Sequence, residues 1–447
     1  VTAIDEGLCS PVTVGHDAAV ADAALLDALV TTEVALARAW ASRGVAPQSA
    51  AEEISAALGW PQTGPHVHGL TVQTLAAASR TGGNPVIPLV AQLKNRVPAD
   101  ARVWIHRGAT SQDILDTALM LIAQNAVAEI RGFLDATVAA LGTLAGAHRD
   151  EVAAARTLTQ HAVPTTVGAR AAGWLRGVRR ARTRVSELQF PAQLGGAGGT
   201  LASFVEIGGG DAAAALPAAL AIELGLDAPD APWHVTRWPV TELADALVQV
   251  VDALGKLATD VATLSRTEIG ELAEGSGGGS SAMPQKQNPV ESVLIRSAAL
   301  RAPQLGATLH LASALAADER PDGAWHAEWP TLRELLRLAL GASAHAAALV
   351  SGLRVDAVAV ARNLALTRGL IVAERLSLVL SPIIGKDRVA EIVSAAATGD
   401  DLAILVRQAM PAASALDVDR LLDPAAYTGL AAPLVDDAIE PTTQEEE

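Results

Sequence analysis

Apolar residues recur at Leu243, Leu247, Val250, Leu254, Leu257, Val261 and Leu264, in alternating steps of four and three. That heptad seam predicts one helix from near Thr241 to near Leu272, roughly 48 Å long at about 1.5 Å per residue, laid against other helices at a shallow angle. Residues 114–147 and 290–317 are similarly long and rich in Ala and Leu, and 331–353 adds a further helix, so a long-helix bundle is expected through the middle of the chain. Pro303 is expected to kink the second of these stretches. Gly59, Pro61, Gly64, Pro65, Gly82 and Gly83 break the first hundred or so residues into shorter helices, while 190–200, Gly208-Gly-Gly210 and 227–232 read as connections. After Leu353 the helices shorten again. The pattern divides the chain into an N-terminal helical domain over 1–108, a central long-helix bundle over 109–353 and a small C-terminal helical domain over 354–447, with a frayed acidic end from Glu440.

Composition sharpens this picture. The 447 residues exceed the size at which one core stops growing, and half of them are apolar while only 3% are aromatic. An interior of Ala, Leu and Val favours helices in close contact through small side chains over β-sandwiches. Helices of this length do not bury all their apolar faces in one narrow bundle, so a homo-oligomer is expected. The single cysteine, Cys9, excludes an internal disulfide and suits a reducing cytosol. The start, Val1-Thr-Ala-Ile-Asp-Glu6, lacks a basic segment followed by an apolar one, and Pro217 and Glu223 cut the apolar stretch 212–226. A cytoplasmic protein with neither secretory signal nor spanning helix is expected. The net charge of −16 argues against nucleic acid or an anionic membrane as partner. An anionic ligand would need cations gathered locally at its site.

The chemistry concentrates in four segments. Gly275-Ser-Gly-Gly-Gly-Ser-Ser-Ala-Met-Pro-Gln-Lys-Gln-Asn-Pro289 joins a glycine loop to Ser280, Ser281, Lys286 and Asn288. Glycines let a loop lay its N–H groups close to an anion, and a lysine favours an alkoxide or a carboxylate-derived dianion. A surface loop ahead of a helix has the same composition. A nucleotide-binding loop is excluded, since no glycine precedes Lys286 and no Ser or Thr follows it. His106-Arg-Gly-Ala-Thr-Ser-Gln-Asp113 puts the hydroxyls of Thr110 and Ser111 at a helix start, where backbone N–H groups and the dipole can bind a carboxylate or where a plain N-cap would stand. Thr157-Leu-Thr-Gln-His161 supplies Gln160 and a lone histidine, a residue that more often orders structure than catalyses. Asp318-Glu-Arg-Pro-Asp-Gly-Ala-Trp-His-Ala-Glu-Trp329 groups Arg320 with two tryptophans, which suits a walled pocket for a planar anion as well as a connecting loop docked on its own aromatics. His66-Val-His68 is too little for a zinc site, and no GxSxG elbow supports a serine hydrolase.

Gly279-Ser-Ser-Ala-Met-Pro-Gln-Lys-Gln-Asn-Pro289 fits every fixed position of GSSxMPxKxNP, and in this the chain resembles the fumarase/aspartase superfamily. Within it the chain looks most like the bacterial 3-carboxy-cis,cis-muconate cycloisomerase branch. The residues that carry this are Gly83-Asn-Pro-Val-Ile-Pro-Leu-Val90, 106–117, Gln193-Leu-Gly-Gly-Ala-Gly-Gly-Thr-Leu-Ala-Ser203, Pro232-Trp-His234 and 325–329, and the likeness runs from about Ala23 to about Ala397. The resemblance implies an all-α, three-domain fumarase/aspartase-like fold, a homotetramer with active sites shared between subunits, and no cofactor or metal. It implies Ser280 as the proton-transferring residue, with Lys286 and Asn288 on the substrate carboxylate and the charge that develops there. Thr110 and Ser111 would hold a second carboxylate, His106 would contact substrate or order the site, and Gln160, His161 and Arg320 would be further contacts. The implied reaction is cyclisation of the tricarboxylate 3-carboxy-cis,cis-muconate to 4-carboxymuconolactone, in the protocatechuate branch of aromatic degradation.

Three departures from the superfamily pattern bear on substrate. Leu158 stands where many relatives carry a histidine after Arg-Thr, which weakens the case for expelling an amine, because an amine departs poorly without a proton. A carboxylate, with a pKa near ~4, needs none. Gln287 replaces a frequent arginine, and Trp238 follows Arg237 where an aspartate is usual. The rivals are an adenylosuccinate lyase-like or other fumarate-releasing enzyme and a non-catalytic, crystallin-like protein.

Overall fold

The computed structural model describes residues 7–61, 65–275, 278–279, 283, 286–412 and 414–440. Ser280, the proton-transferring candidate, lies outside the described residues, as do the acidic end from 441 and the first six residues.

The described chain is helical through most of its length. Helices α1 (Asp22–Ser42), α2 (Gln48–Leu58), α3 (Pro65–His68), α4 (Val72–Gly82) and α5 (Val86–Lys94) precede the long α6 (Ser111–Ala147). A hairpin of β1 (Val152–Thr157) and β2 (Gln160–Thr166) leads into α7 (Val167–Ser186), α8 (Ala202–Gly208), α9 (Gly210–Leu224) and α10 (Trp238–Leu264). Then come β3 (Leu272–Ala273), α11 (Val290–Ala314), α12 (Gly323–Ser351) and β4 (Arg354–Val355), which pairs antiparallel with β3. The last helices are α13 (Ala357–Leu364), α14 (Ala373–Ile384), α15 (Lys386–Thr398), α16 (Leu402–Ala409), α17 (Val418–Leu422) and α18 (Ala431–Ile439). No single described helix is long and apolar enough to cross a membrane.

All seven seam residues of α10 are buried, as their spacing predicts. The helix nevertheless ends at Leu264, eight residues short of Leu272, because Gly270 takes a left-handed φ of 66° and Leu272 must extend to pair with Val355. α12 begins at Gly323 rather than near Thr331, with Pro330 inside it. The segment 318–329 is therefore loop only as far as Asp322, and both its tryptophans stand on a helix.

The chain forms two compact units, each assembled from three stretches: 1–132, 181–252 and 297–344 in the first, and 133–180, 253–296 and 345–447 in the second. The first unit is built around α1, which packs on α2 and α9 and buries Leu26, Leu29, Val30, Val34, Leu36 and Trp40. A helix apolar on so many faces belongs inside a protein. Trp40 meets Trp104 and Phe204 with ring centroids 6.4 and 5.8 Å apart, spending three of the chain's few aromatics at one point. The second unit has its own core, where Val372, Leu376, Leu380, Val389, Ile392 and Val406 pack beneath the hairpin residue Ala154.

Candidate active site

In the first unit the segment 106–111 is held from below by α1. Glu33, fully buried on that helix, places Oε1 2.7 Å from His106 Nδ1, while its Oε2 has no hydrogen-bond partner among the described residues. His106 itself adopts a left-handed φ of 60°, which turns the chain toward α6. Burial alone lowers the His106 pKa, but the charge and hydrogen bond of Glu33, with Asp113 behind them, outweigh it and hold the pKa above the ordinary histidine value. The charged form of the imidazole is thus favoured against Glu33, in the segment that also carries Thr110 and Ser111. Gly108 has a φ of 83°, and a Cβ there would come within 2.9 Å of Phe204, so only glycine fits this close approach.

Asp113, in the first turn of α6, organises the backbone around it. Oδ2 accepts the amides of Thr110 at 2.9 Å and Gly196 at 3.0 Å, and Oδ1 accepts the Gly195 amide at 2.9 Å and lies 2.8 Å from His234 Nε2. The expectation that the amides of this turn bind an external anion is corrected at Thr110, whose N–H is already used by Asp113. The hydroxyls of Thr110 and Ser111 make no hydrogen bond to any described residue and remain as donors for a ligand. Arg320 donates to the carbonyl of Ala197 at 3.0 Å, and Ser203 Oγ donates to that of Gly108 at 2.7 Å. Thr110, through Asp113, and Arg320, directly, are thus tied to the glycine loop that follows Leu194, and His106 and Ser111 belong to the same segment as Thr110.

One turn further along α6 lies a buried charge layer. Arg237 reaches Asp116 with Nη1 at 2.6 Å and Nη2 at 3.1 Å, and Glu328 with Nη2 at 2.5 Å, over the ring of Trp233. Trp325 donates to Asp116 Oδ1 at 2.9 Å. The acidic neighbour that the sequence lacks after Arg237 is therefore supplied from α6 and α12, and Trp238, partly exposed, leaves no carboxylate missing. Burial opposes the charge on Arg237, but Asp116 and Glu328 together raise its pKa. One cation facing two carboxylates leaves an excess negative charge, and burial pushes the Glu328 carboxyl up despite the pull of Arg237. Glu33, Asp116 and Glu328 were not singled out from the sequence as site residues, and His234 only within Pro232-Trp-His234; the one local signal is Asp116, an ionisable residue among apolar ones in the predicted helix 114–147.

In the second unit the hairpin turn is Leu158-Thr159, with φ of 48° and 73°, and Leu158 is 96% exposed at its tip. Gln160, exposed, and His161, half-buried, follow on β2. Burial, then the charge of Arg156, lower the His161 pKa, so this imidazole favours the neutral form. Arg156 anchors the hairpin on Glu271 through contacts of 2.5 and 3.2 Å, and Arg170 reaches the same carboxylate at 3.4 Å. Burial raises and these partners lower the Glu271 pKa, with a net fall.

The same segment roots the loop bearing Lys286 and Asn288. Glu274 accepts the amides of Glu291 and Ser292 at 3.0 and 2.9 Å and so caps α11. Gly278 and Asn288 exchange backbone hydrogen bonds of 3.0 and 2.9 Å, closing the neck of the loop, and Lys286 is exposed beyond it. A Cβ on Gly278 would lie 2.2 Å from Val290 Cγ2. Gly278→Ala is expected to open the neck and lower kcat/KM about 10²-fold, since small misplacements of a reacting group have costs of that order. Adding Val290→Ala should restore most of the loss, with both variants melting near wild type in thermal denaturation.

The structure brings together His106, Thr110, Ser111 and Arg320 in one unit, and Gln160, His161, Lys286 and Asn288 in the other. Among the other candidate groups, His68 is structural: Nε2 lies 3.0 Å from Asp27 and Nδ1 accepts the Leu70 amide.

A lyase family model matches residues 16–303. The nitrosuccinate lyase of Streptomyces davaonensis is 46% identical, with 98% of this chain and 95% of that one covered. The 3-carboxy-cis,cis-muconate cycloisomerase of Pseudomonas aeruginosa is 41% identical over 94% of this chain and 92% of its own. Among solved structures, the 3-carboxy-cis,cis-muconate lactonizing enzyme of Pseudomonas putida superposes with a TM-score of 0.85 at 37% identity, covering 94% of both chains.

Proposed function

Because this chain belongs to the lyase family of the fumarase/aspartase superfamily, we propose that it adds or expels a weakly basic oxyanion β to a carboxylate, and that its substrate is 3-carboxy-cis,cis-muconate. A carboxylate oxygen of the substrate bonds to the neighbouring double bond. The displaced electron pair collects on the carbon next to another carboxylate, and the Ser280 hydroxyl delivers a proton to that carbon, giving 4-carboxymuconolactone. Lys286 and Asn288 stabilise the aci-carboxylate, while Thr110, Ser111 and the His106 imidazolium hold a second carboxylate. Arg320 provides for the third.

The observation that carries this reading is Leu158. The hairpin tip offers an exposed hydrocarbon in place of a titratable side chain, and the nearby His161 favours its neutral form. Such a tip suits a leaving group that is stable as an anion. Nitrite shares that property, and the 46% relative supports a second reading in which nitrosuccinate loses nitrite and a proton to give fumarate. Two cationic side chains, Lys286 and Arg320, together with His106, whose charged form Glu33 favours, suit the tricarboxylate.

The test is to supply 3-carboxy-cis,cis-muconate and nitrosuccinate separately, following loss of the diene's ultraviolet absorbance and release of nitrite. Turnover of the first and not the second supports cyclisation; the converse transfers the assignment to nitrite expulsion. Adenylosuccinate, which must expel an amine, is expected to react at least about 10²-fold more slowly than the better of the two.

We also propose a cytoplasmic homotetramer with sites shared between copies. Val293, Leu300 and Leu311 are 52%, 79% and 62% exposed on α11. Steps of seven and eleven residues put them in one stripe, an apolar face suited to another copy.

His106 makes a pH prediction. Its folded pKa is raised above 6.5, so the stabilisation from its charged pair with Glu33 is fully present below that value and is lost as pH rises through the folded pKa. His106→Gln should flatten this part of the pH dependence of the urea midpoint, and an unchanged slope would remove the pair from the account.

A further inference from the structure

A cavity of about 320 Å³ lies in the first unit between α1, α4 and α12. Its floor is apolar, formed by the buried Leu26 and Leu29 of α1 and Leu75 of α4. The polar groups at its rim are not equivalent. Asp22 is paired with Arg333 at 2.7 Å, and Asn84 Oδ1 accepts the amides of Val86 and Ile87. Arg80, in the last turn of α4, is exposed and has no hydrogen bond or ion pair with another described residue. Trp329 forms one wall, and its indole N–H is buried without an acceptor among the described residues. A buried donor left unpaired is costly unless something supplies the acceptor.

None of His106, Thr110, Ser111 or Arg320 lines this cavity, yet two helices tie it to them. Leu29 and Glu33 lie four residues apart on α1, so the floor is about one turn, roughly 6 Å, from the carboxylate that holds His106. Trp329 is four residues beyond Trp325, their rings 4.6 Å apart, and Trp325 donates to Asp116.

An apolar floor, an aromatic wall with an unpaired donor and one unpaired cation at the mouth together match a small molecule with an apolar ring and a single negative end. We propose that this cavity binds an aromatic monocarboxylate, its ring on Leu26, Leu29 and Leu75 beside Trp329 and its carboxylate at Arg80. This is a different ligand from the polycarboxylate of the catalytic site. The inference does not rest on the proposed reaction.

The test uses the full chain, with benzoate and benzyl alcohol as probes and binding followed by calorimetry and tryptophan fluorescence. Benzoate should bind saturably, and Arg80→Ala should weaken it about fivefold while leaving benzyl alcohol unchanged, as expected for one solvent-exposed charge pair. Ala76→Phe, at an exposed wall position, should fill the cavity and abolish binding of both probes, with the circular dichroism melt unchanged. No saturable benzoate binding to the wild type, or benzoate binding indifferent to Ala76→Phe, overturns the proposal. Displacement of benzoate by fumarate without any effect of Arg80→Ala would move the probe to the carboxylate site and overturn it equally.

Discussion

Ser280→Ala is expected to lower kcat by about 10²–10⁴-fold, the usual contribution of a positioned proton-transferring group, while substrate binding stays measurable by calorimetry. A serine hydroxyl is a poor base in water, so its role depends on its surroundings. Lys286 lies six residues on, exposed and able to bring a positive charge to a developing anion. The Gly278–Asn288 backbone pair and the Glu274 cap fix the two described ends of the loop next to β3 and α11, and Ser280, Lys286 and Asn288 fall within nine consecutive residues of the sequence. Ser281→Ala, one residue away, should have a much smaller effect on kcat. Near-normal turnover of Ser280→Ala would remove serine from the mechanism while leaving the fold assignment intact.

Arg237→Met should produce the largest loss of stability of any single change near the site, about 3–5 kcal/mol. The guanidinium is buried and binds two carboxylates that are themselves buried, Asp116 and Glu328. Removing it leaves two negative charges facing each other without water. The deficit should shrink as pH falls, because a carboxyl whose folded pKa is raised takes up a proton more readily in the folded state, and Glu328 already lies on that side. Thermal melts between pH 5 and pH 8 would measure it, and Glu328→Gln in the Arg237→Met background should recover part of the loss. A melt indifferent to pH would mean that the layer is not held by charge. Activity should fall with stability, since Asp116 and Asp113 share the first turns of α6 and Asp113 positions the Thr110 amide.

The sequence by itself determined the long helices, because their apolar periodicity is a local property read along one face. It also marked the candidate loop, because glycine density, paired serines, Lys286 and Asn288 fall within fifteen adjacent residues. The family followed from those residues. The sequence could not reveal what pairs at a distance. Arg237 looked deprived of an acidic partner because its partners are 121 and 91 residues away, and the Thr110 amide looked free because Asp113 claims it only when α6 forms its first turn. The end of α10 was likewise a tertiary decision, set by a strand pairing with Val355 that no seam of leucines encodes. Periodicity is written into neighbouring residues, whereas the neutralisation of buried charge depends on which helices come to lie side by side, and only the folded chain decides that.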